Sequence, residues 1–278
     1  MTSKTWLITG TSRGFGRIWA EAALARGDRV AATARDTGTL SDLVRRFGDA
    51  ILPLILDVTD RSAVFDAVAA AHDRFGRLDV VVNNAGYGLF GAVEETSEAE
   101  ARAQIETNLF GKIWVTQAVL PYLREQRSGH ILQVSSMGGL IAFPTLGVYH
   151  ASKWALEGFS ESLAQEVAPF GIKVTLVEPG GYATDWGGRS AVHGRPLPAY
   201  ERVRAHAAQF LGDYPLGDPR ATADAILTIV DAEQPPLRVL LGAPPFALVR
   251  DAYEQRLAAW AAWDDVSRAA QGRLPAPA

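Results

Sequence analysis

The chain has 278 residues, no cysteine, five histidines and a formal net charge of −4. Without cysteine, a disulfide scaffold, a thiolate zinc site and a cysteine nucleophile are excluded. The net negative charge gives no indication of a basic patch that would bind nucleic acid, and the histidines are too scattered to suggest a metal cluster. The opening MTSKTWLITG lacks the order of a signal peptide, and no apolar run reaches the roughly 18 residues of a membrane span. We therefore expect a cytoplasmic protein with no metal, nucleic-acid or membrane partner.

One sequence pattern recurs along the chain: a helical stretch, a glycine, and a short strand rich in Val, Ile and Leu. Glycine after a helix suits the left-handed closing position, because it has no Cβ. The strand runs are continuously apolar, as in parallel sheets covered on both faces. The predicted strands are 5–9, 29–34, 51–56, 79–82, 130–135, 172–178 and 238–241.

Strands that alternate with helices predict right-handed βαβ units and an α/β, doubly wound, three-layer Rossmann fold with a mostly parallel seven-stranded sheet. We expect a single domain over 1–278, a substrate loop and lid at about 185–215, a C-terminal helix at about 244–270 and a disordered tail at 274–278. The other helices are predicted to begin near Gly14, Asp42, Arg61, Ser97, Tyr149 and Asp218.

The stretch TGTSRGFG joins the first strand to the first helix and contains three glycines. Gly10 permits a tight turn, Gly14 lets backbone amides approach a pyrophosphate, and Gly16 lets the helix pack closely on the sheet. The phosphates would lie at the helix N-terminus, where free N–H groups and the helix dipole favour negative charge. A glycine-rich turn without a ligand is the alternative interpretation.

Five motifs occur together in order: TGTSRGFG, NNAG at 83–86, VSS at 134–136, YHASK at 149–153 and PGGYAT at 179–184. Their order and spacing over about residues 4–185 resemble the short-chain dehydrogenase/reductase family, in its non-extended, single-domain branch. The resemblance implies hydride transfer between a nicotinamide cofactor and a carbonyl or alcohol. The region after 185 resembles only the variable, substrate-binding part of that family.

Cofactor selectivity depends on the end of the second strand, where an acidic side chain would hold a ribose 2′-hydroxyl and repel a 2′-phosphate. That position is Ala34, followed by Arg35, and Arg13 in the glycine turn could flank the same phosphate. Two cations without an acid favour NADP(H), with NAD(H) as the alternative. Asp36 would lie nearer the ribose if the strand ended one residue later, and each arginine could simply be a solvated surface charge.

The resemblance assigns further cofactor contacts to residues that follow the other strands. Asp57 and Val58 would contact the adenine, and the NNAG residues would approach the adenine ribose, although a turn that stabilises the sheet is the alternative there. The expected cofactor-binding residues are Gly10, Ser12, Arg13, Gly14, Phe15, Gly16, Arg35, Asp57, Val58, Asn83, Ala85, Gly86, Tyr149, Lys153, Pro179, Gly180 and Thr184.

Tyr149 and Lys153 are four residues apart and would share one helix face, so that a cation favours the phenolate. The resemblance makes Tyr149 the general acid and base, and Lys153 a contact of the nicotinamide ribose. It also makes Ser136, rather than its neighbour Ser135, the residue that binds the substrate oxygen. Asn108 would hold a water that leads to Lys153, unless it is only a helix cap.

Mainly apolar and aromatic residues are expected on the substrate side, with the loop through Pro198 as a lid; a plain packing role is the alternative. They favour a hydrophobic ketone or aldehyde, hence a ketoreductase. The residues are Leu89, Phe90, Leu140, Phe143, Tyr182 and Trp186.

The last predicted helix carries an apolar stripe at Val249, Tyr253, Leu257 and Trp260, which we expect to dock on the domain. By analogy with the family, helices spanning about 98–127 and 149–169 would form a homodimer or homotetramer. A non-catalytic dinucleotide-sensing or scaffold protein of the same fold is the main alternative, and an epimerase or dehydratase is a further one.

Overall fold

The computed structural model describes residues 3–272, and its centre is a parallel sheet of seven strands. The sheet has the order β3-β2-β1-β4-β6-β7-β9, and β5 and β8 form a separate parallel pair. The strands are β1 Thr5–Ile8, β2 Arg29–Ala34, β3 Ile51–Ile55, β4 Val80–Asn83, β5 Leu89–Phe90, β6 Gly129–Val134, β7 Ile172–Pro179, β8 Val192–His193 and β9 Arg238–Leu241.

The seven strands of the main sheet agree with the predicted ones to within one residue at each end. Their apolar runs are continuous because helices cover both faces, and all of β1 is buried. The prediction of a doubly wound, mostly parallel α/β fold is confirmed.

Helices follow most strands and form the two outer layers. Those predicted begin within a few residues of the expected positions. The helices are α1 Gly14–Ala25, α2 Ser41–Phe47, α3 Arg61–Phe75, α4 Glu98–Ile105, α5 Gly111–Gln126, α6 Gly147–Val167, α7 Glu201–Asp213, α8 Thr222–Asp231, α9 Pro244–Ala262 and α10 Asp264–Gln271. No helix among residues 3–272 is long and apolar enough to span a membrane.

Two apolar cores lie on opposite faces of the sheet because side chains alternate along each strand. Trp6 and Ile8 of β1 belong to the core under α1, α2 and α8, whereas Leu7 belongs to the core under α3, α5 and α6. Trp19 of α1 reaches across the first layer and donates a hydrogen bond from Nε1 to Thr222 Oγ1 at 2.8 Å. The indole N–H is therefore satisfied although the ring is buried.

The strand order places a crevice at the carboxyl edge of the sheet. The chain runs outward from β1 through β2 to β3 and then returns to β4, so the loops after β1 and β4 diverge from each other. Ligands of doubly wound sheets bind at such a switch point. The glycine turn follows β1 and the NNAG segment follows β4, which brings both motifs to this crevice.

The C-terminal third contains more regular structure than the sequence predicts. The segment expected to be loop and lid at 185–215 contains the helix α7 and the strand β8. The last helix does not dock through the predicted stripe, because Leu257 and Trp260 are 59% and 64% exposed; a neighbouring face from Pro245 to Arg256 lies on the domain, and Arg256 donates to the Leu140 carbonyl at 3.4 Å. The predicted tail at 274–278 lies outside the described residues.

Candidate active site

The glycine turn has the backbone conformations that its sequence predicts. Gly10 and Gly14 have φ of +69° and +56°, a region that favours glycine. A Cβ on Gly16 would lie 2.5 Å from the Gly10 carbonyl oxygen, so α1 could not approach the turn as closely with any other residue. Asn84 fixes the turn from the β4 side, because its Nδ2 donates to the carbonyls of Thr9 and Gly10 at 2.9 and 3.0 Å.

The N-terminus of α1 fits a diphosphate. Its capping residue, Arg13, has no side-chain capping hydrogen bond, and the first turn contains no acid. A Cβ on Gly14 would meet no atom within 4 Å, so the space beside this residue is open. Free N–H groups with unopposed dipole charge bind anions.

A cleft of about 960 Å³ runs from this turn to Tyr149. It is lined by most of the predicted cofactor and catalytic residues: Gly10, Ser12, Arg13, Gly14, Phe15, Arg35, Asp57, Val58, Ala85, Gly86, Ser136, Tyr149, Lys153, Pro179, Gly180 and Thr184. Its size is in the range of a dinucleotide-sized or drug-sized ligand.

The end of β2 presents a cation to the cleft. β2 ends at Ala34, and Arg35 lines the cleft. Asp36 turns away from it, because its Oδ1 accepts a hydrogen bond from Gly38 N at 2.8 Å and so caps the following short helix. Arg13 lines the same cleft and lies 3.7 Å from Asp185 of the lid.

Several predicted residues do not line the cleft. Asn83 is fully buried and donates from Nδ2 to Thr116 Oγ1 at 3.2 Å, so it joins β4 to α5, as the alternative interpretation of NNAG anticipated. Its neighbour Asn84 lines the cleft instead. Gly16 allows the close packing of α1 on the turn. Four other residues named in the sequence analysis also do not line the cleft: Asn108, Leu89, Leu140 and Pro198.

Tyr149 and Lys153 lie on one face of α6, and each is only 5% exposed. The Lys153 Nζ lies 5.6 Å from the centroid of the Tyr149 ring and donates to the Val134 carbonyl at 3.0 Å. Burial raises the pKa of Tyr149 to about 12, while the Ser136 side chain acts in the opposite direction. Burial therefore sets the direction of the shift in the protein alone, and the lowering expected from the neighbouring cation is not seen.

Lys153 is buried beside a carboxylate. Burial lowers its pKa to about 8, and the charge of Glu157 opposes that fall. A pKa near neutrality means that the amine can gain or lose a proton within the working range of most enzymes.

Ser136 lies just after the end of β6, next to Tyr149. Its Oγ accepts from Gly138 N at 3.0 Å and donates to the Pro179 carbonyl at 3.4 Å, a contact at the long limit of a hydrogen bond. The hydroxyl can therefore turn to a substrate oxygen at little cost.

His150 is a residue of the site that the sequence reasoning missed, although it is inside YHASK. Its Nδ1 donates to the Gly138 carbonyl at 2.8 Å, and its Nε2 accepts from Phe143 N at 2.9 Å. Burial lowers its pKa, so the neutral ring is favoured. It thereby ties the loop between Gly138 and Phe143 to the catalytic helix.

Asn108 lies in a π-helical turn, Glu106–Phe110, between α4 and α5. Its Oδ1 accepts from Tyr87 N at 3.1 Å, and its Nδ2 donates to the Tyr87 carbonyl and to Ser152 Oγ at 3.0 and 3.3 Å. Such turns are frequent at functional sites because they free backbone groups from the regular ladder. The side chain joins α4, the segment after β4 and α6 behind the cleft.

Aromatic side chains form the other end of the cleft. The Trp186 ring lies 5.1 Å, between centroids, from Tyr149 and also from Phe90, and so covers the phenol. Phe143 stacks on Phe210 of α7 at 5.1 Å. Phe90, Phe143, Tyr182 and Trp186 were predicted here. Phe210 and Tyr214 also line this end and were missed, because no sequence motif marks them.

The segment predicted as a lid is fixed at its far end by a buried carboxylate. Glu95 accepts hydrogen bonds from the backbone N–H groups of Ala92 and Leu197, both at 2.8 Å, and pairs with Arg204 of α7. The Leu197 hydrogen bond is the main reason that the pKa of Glu95 lies below its usual range. No sequence motif marks this glutamate.

The fold and site define a dinucleotide-binding dehydrogenase, and comparison with known proteins gives its family. The sequence model described as short chain dehydrogenase matches residues 4–191. The chain therefore belongs to the short-chain dehydrogenase family, a family of oxidoreductases, as its motifs predicted.

The relatives include three named oxidoreductases. The chain is 45% identical to oxidoreductase BOA17 of Botryotinia fuckeliana, over 96% of this chain and 99% of that protein. It is 38% identical to 3-ketodihydrosphingosine reductase of Bacteroides thetaiotaomicron, over 85% and 87% of the two chains. It is 36% identical to estradiol 17-beta-dehydrogenase 1 of Rattus norvegicus, over 86% and 73%.

Solved structures show the same fold. A short-chain dehydrogenase of Streptomyces avermitilis, 43% identical, superposes with a TM-score of 0.92 over 97% of this chain and 98% of that one. An alcohol dehydrogenase of Thermococcus sibiricus complexed with 5-hydroxy-NADP is 28% identical, with a TM-score of 0.73 over 86% and 96%. A 3-ketoacyl-(acyl-carrier-protein) reductase of Brucella melitensis complexed with NADH is 26% identical, with a TM-score of 0.72 over 86% and 96%.

Proposed function

We propose that the protein is an NADP(H)-preferring carbonyl reductase and alcohol dehydrogenase that interconverts a hydrophobic ketone or aldehyde and its alcohol. The observation that carries this proposal is the convergence of Tyr149, Ser136 and Lys153 at one end of a cleft whose other end is the uncapped N-terminus of α1. A reduced nicotinamide dinucleotide bound in this cleft would supply a hydride to the carbonyl carbon.

The side chains of the protein bind and orient the substrate and move one proton. The Ser136 hydroxyl holds the carbonyl oxygen beside the Tyr149 phenol. The phenol Oη then gives its proton to that oxygen as the carbon is reduced, and the Lys153 ammonium stabilises the phenolate that remains. In the oxidative direction, the phenolate removes the proton of the alcohol. The cost of burying a phenolate explains why the cation must be buried with it.

Two arginines support a preference for NADP(H). Arg35 and Arg13 line the cleft near the end of β2, where Asp36 points away from it. Guanidinium groups suit the planar, multi-donor recognition of a phosphate. The family relatives are compatible with either nicotinamide dinucleotide, since those solved as complexes contain an NADP derivative or NADH.

The aromatic wall supports a hydrophobic substrate. Phe90, Phe143, Trp186, Phe210 and Tyr214 line the substrate end, and none of them carries a formal charge. Two relatives are named for the reduction or oxidation of lipid-like compounds, a ketosphingosine and a steroid. Such a wall favours an apolar carbonyl compound over a charged sugar.

A kinetic screen tests this proposal. Purified protein is mixed with NADPH or NADH and a panel of long-chain, cyclic and aromatic ketones and aldehydes, and the near-ultraviolet absorbance of the reduced nicotinamide is followed. We expect turnover with hydrophobic carbonyls and faster turnover with NADPH. Tight cofactor binding without turnover of any compound would instead favour the dinucleotide-sensing or scaffold protein.

We further propose that the protein is a homodimer or homotetramer that pairs through the outer faces of α4, α5 and α6, as many family members do. Trp154 on α6 is 40% exposed, which supports an apolar contact there. Light scattering during size-exclusion chromatography gives the mass, and a monomer at micromolar concentration would contradict this proposal.

A further inference from the structure

Behind the catalytic residues lies a buried acid that the proposed mechanism does not use. Glu157 follows Lys153 by four residues on α6, so the two side chains lie on one face of the helix. Glu157 is only 5% exposed. A carboxylate at that depth is costly unless it is paired and hydrogen-bonded, so its partners are informative.

Lys153 and Glu157 bind two consecutive residues at the end of β6. The Lys153 Nζ donates to the Val134 carbonyl at 3.0 Å, and the Ser135 hydroxyl donates to Glu157 Oε1 at 2.5 Å. The next residue is Ser136. One turn of α6 therefore holds the strand end that presents Ser136, with Lys153 bound to one residue and Glu157 to the next.

The other oxygen of Glu157 is bound from the far edge of the sheet. Arg238 of β9 donates from Nε to Glu157 Oε2 at 3.0 Å and from a terminal nitrogen to Glu161 at 2.7 Å. A guanidinium and a hydroxyl on the two oxygens favour the ionised carboxylate.

A second buried acid, Glu178 of β7, lies in the same cluster. It is 1% exposed, and its Oε1 is 3.6 Å from Arg238 Nε. Burial, with the charge of Glu157 as the next cause, raises the pKa of Glu178 to about 8. This raised pKa favours the uncharged form of Glu178 at neutral pH.

We propose that Glu157 is a positioning residue for the reaction: it supplies the buried counter-charge of the Lys153 ammonium and holds the end of β6 that presents Ser136. This inference rests on the proposed function for its kinetic consequence. Its electrostatic part concerns the protein alone and can be measured without any substrate.

The other titratable groups around Lys153 do not supply this counter-charge in the parent protein. Tyr149 on the same helix is an uncharged phenol at neutral pH. Lys112 of α5 is fully buried, and burial together with the Lys153 charge sets its pKa well below the usual value. Glu178 and Arg238, from β7 and β9, lie on the far side of Glu157 and pair with each other or with it.

The direct test is an NMR titration of the lysine ε-carbons in the cofactor-free protein. The sequence contains four lysines, Lys4, Lys112, Lys153 and Lys173, so the signals can be assigned by substitution. Glu157→Gln keeps the shape of the side chain and an acceptor for Ser135 but removes the charge. We expect the pKa of Lys153 to fall by about one unit, as for loss of a neighbouring opposite charge.

The matched control is Glu161→Gln, one turn further along α6. It removes a carboxylate that binds the same arginine but is exposed and does not reach β6. We expect no change in the Lys153 titration. If Glu157→Gln leaves the Lys153 pKa unchanged, and the double variant Glu157→Gln/Glu178→Gln does so too, the counter-charge role is refuted. The double variant prevents Glu178 from ionising in place of Glu157.

The kinetic consequence separates this inference from the proposed function. In carbonyl reduction, kcat is expected to fall at high pH. In Glu157→Gln, the pH of this fall is expected to be lower by the same amount as the Lys153 pKa in the NMR titration. In Glu161→Gln, it is expected to be unchanged. A protein with altered Lys153 titration but no turnover in the parent chain would contradict the proposed function alone. Turnover with superimposable pH profiles for parent and variants would contradict the inference alone.

Discussion

At the scale of single residues, the spacing of Tyr149 and Lys153 predicts their proximity, but burial decides their chemistry. Both are 5% exposed, and loss of solvent shifts both pKa values toward the uncharged forms, to about 12 and about 8. Neither shift is visible in a helical spacing, because it depends on Trp186 and β6, which come from distant parts of the chain.

Tyr149→Phe removes the proposed proton donor and little else. We expect kcat to fall by about two to four orders of magnitude, the usual range for a lost general acid, while the Kd for NADPH is unchanged. Steady-state kinetics and fluorescence titration measure the two quantities. Tyr122→Phe is the matched control, because Tyr122 stacks on His72 away from the cleft. Near-parental kcat in Tyr149→Phe would remove the assignment.

Arg35→Asp tests the phosphate contact at the end of β2. The change removes a charge-assisted hydrogen bond and adds an acceptor for a ribose hydroxyl. We expect the ratio of kcat/KM for NADPH over NADH to fall about ten- to hundredfold, from about 1.5 to 3 kcal/mol for such a bond. Arg45→Asp makes the same charge change on the exposed face of α2 and is expected to leave the ratio unchanged. An unaltered ratio in Arg35→Asp would rule out the phosphate role.

At the scale of elements, the lid and the last helix are where sequence periodicity predicted least. The Gly- and Pro-rich run DWGGRSAVHGRPLPAY predicts a loop, yet Glu95 and β5 fix it in place, and α7 adds Phe210 to the substrate wall. In α9, the apolar stripe predicts docking, yet Leu257 and Trp260 are exposed, and the half-buried face includes Ala252 and Arg256 instead. In both cases, the surface that the segment meets, or the absence of one, decides whether its side chains are buried.

Glu95→Gln is expected to loosen the lid. The amide cannot pair with Arg204 as a carboxylate does, so KM for the carbonyl substrate rises several-fold while the Kd for NADPH changes little, and proteases cut the lid faster. Acid has the same effect in the parent protein. The folded-state pKa of Glu95 is lowered, so its stabilisation is complete above the ordinary carboxyl range and is lost as pH falls through the folded pKa. Glu98→Gln, at an exposed residue that pairs with Arg102 on its own helix, is the control; equal protease sensitivity of both variants and the parent would contradict this role.

At the scale of the whole molecule, the sheet that carries the site also buries a histidine. His130 of β6 is 4% exposed, and its Nε2 lies 2.9 Å from Thr175 Oγ1 of β7. Burial is the largest cause that lowers its pKa to about 3, ahead of the charges of Lys173 and Lys4. In the unfolded chain, the imidazole of His130 has its ordinary pKa and binds a proton in mild acid. In the folded protein, the same imidazole stays neutral there.

This histidine is expected to make folding pH-dependent. Its stabilising effect is complete above the unfolded pKa of about 6.5 and declines as pH falls toward the folded pKa. From about pH 7 to about pH 5, the free energy of unfolding is expected to drop by about 2 kcal/mol through this group. His130→Gln is expected to flatten that dependence in denaturant titrations, and His206→Gln, on the exposed face of α7, to leave it unchanged. Identical slopes for parent and His130→Gln would contradict the assignment.

The sequence by itself determined the seven strands of the main sheet, most of the helices and the five motifs at the carboxyl edge. Local rules suffice for these: apolar runs form buried strands, glycines with positive φ end helices, and a four-residue spacing aligns two side chains. Only the tertiary structure decided that Asn84 rather than Asn83 lines the cleft, that Trp186 covers Tyr149, and that Glu157 lies behind Lys153 with Arg238. These relations join residues far apart in the chain, and they depend on which groups lose their water when the layers pack.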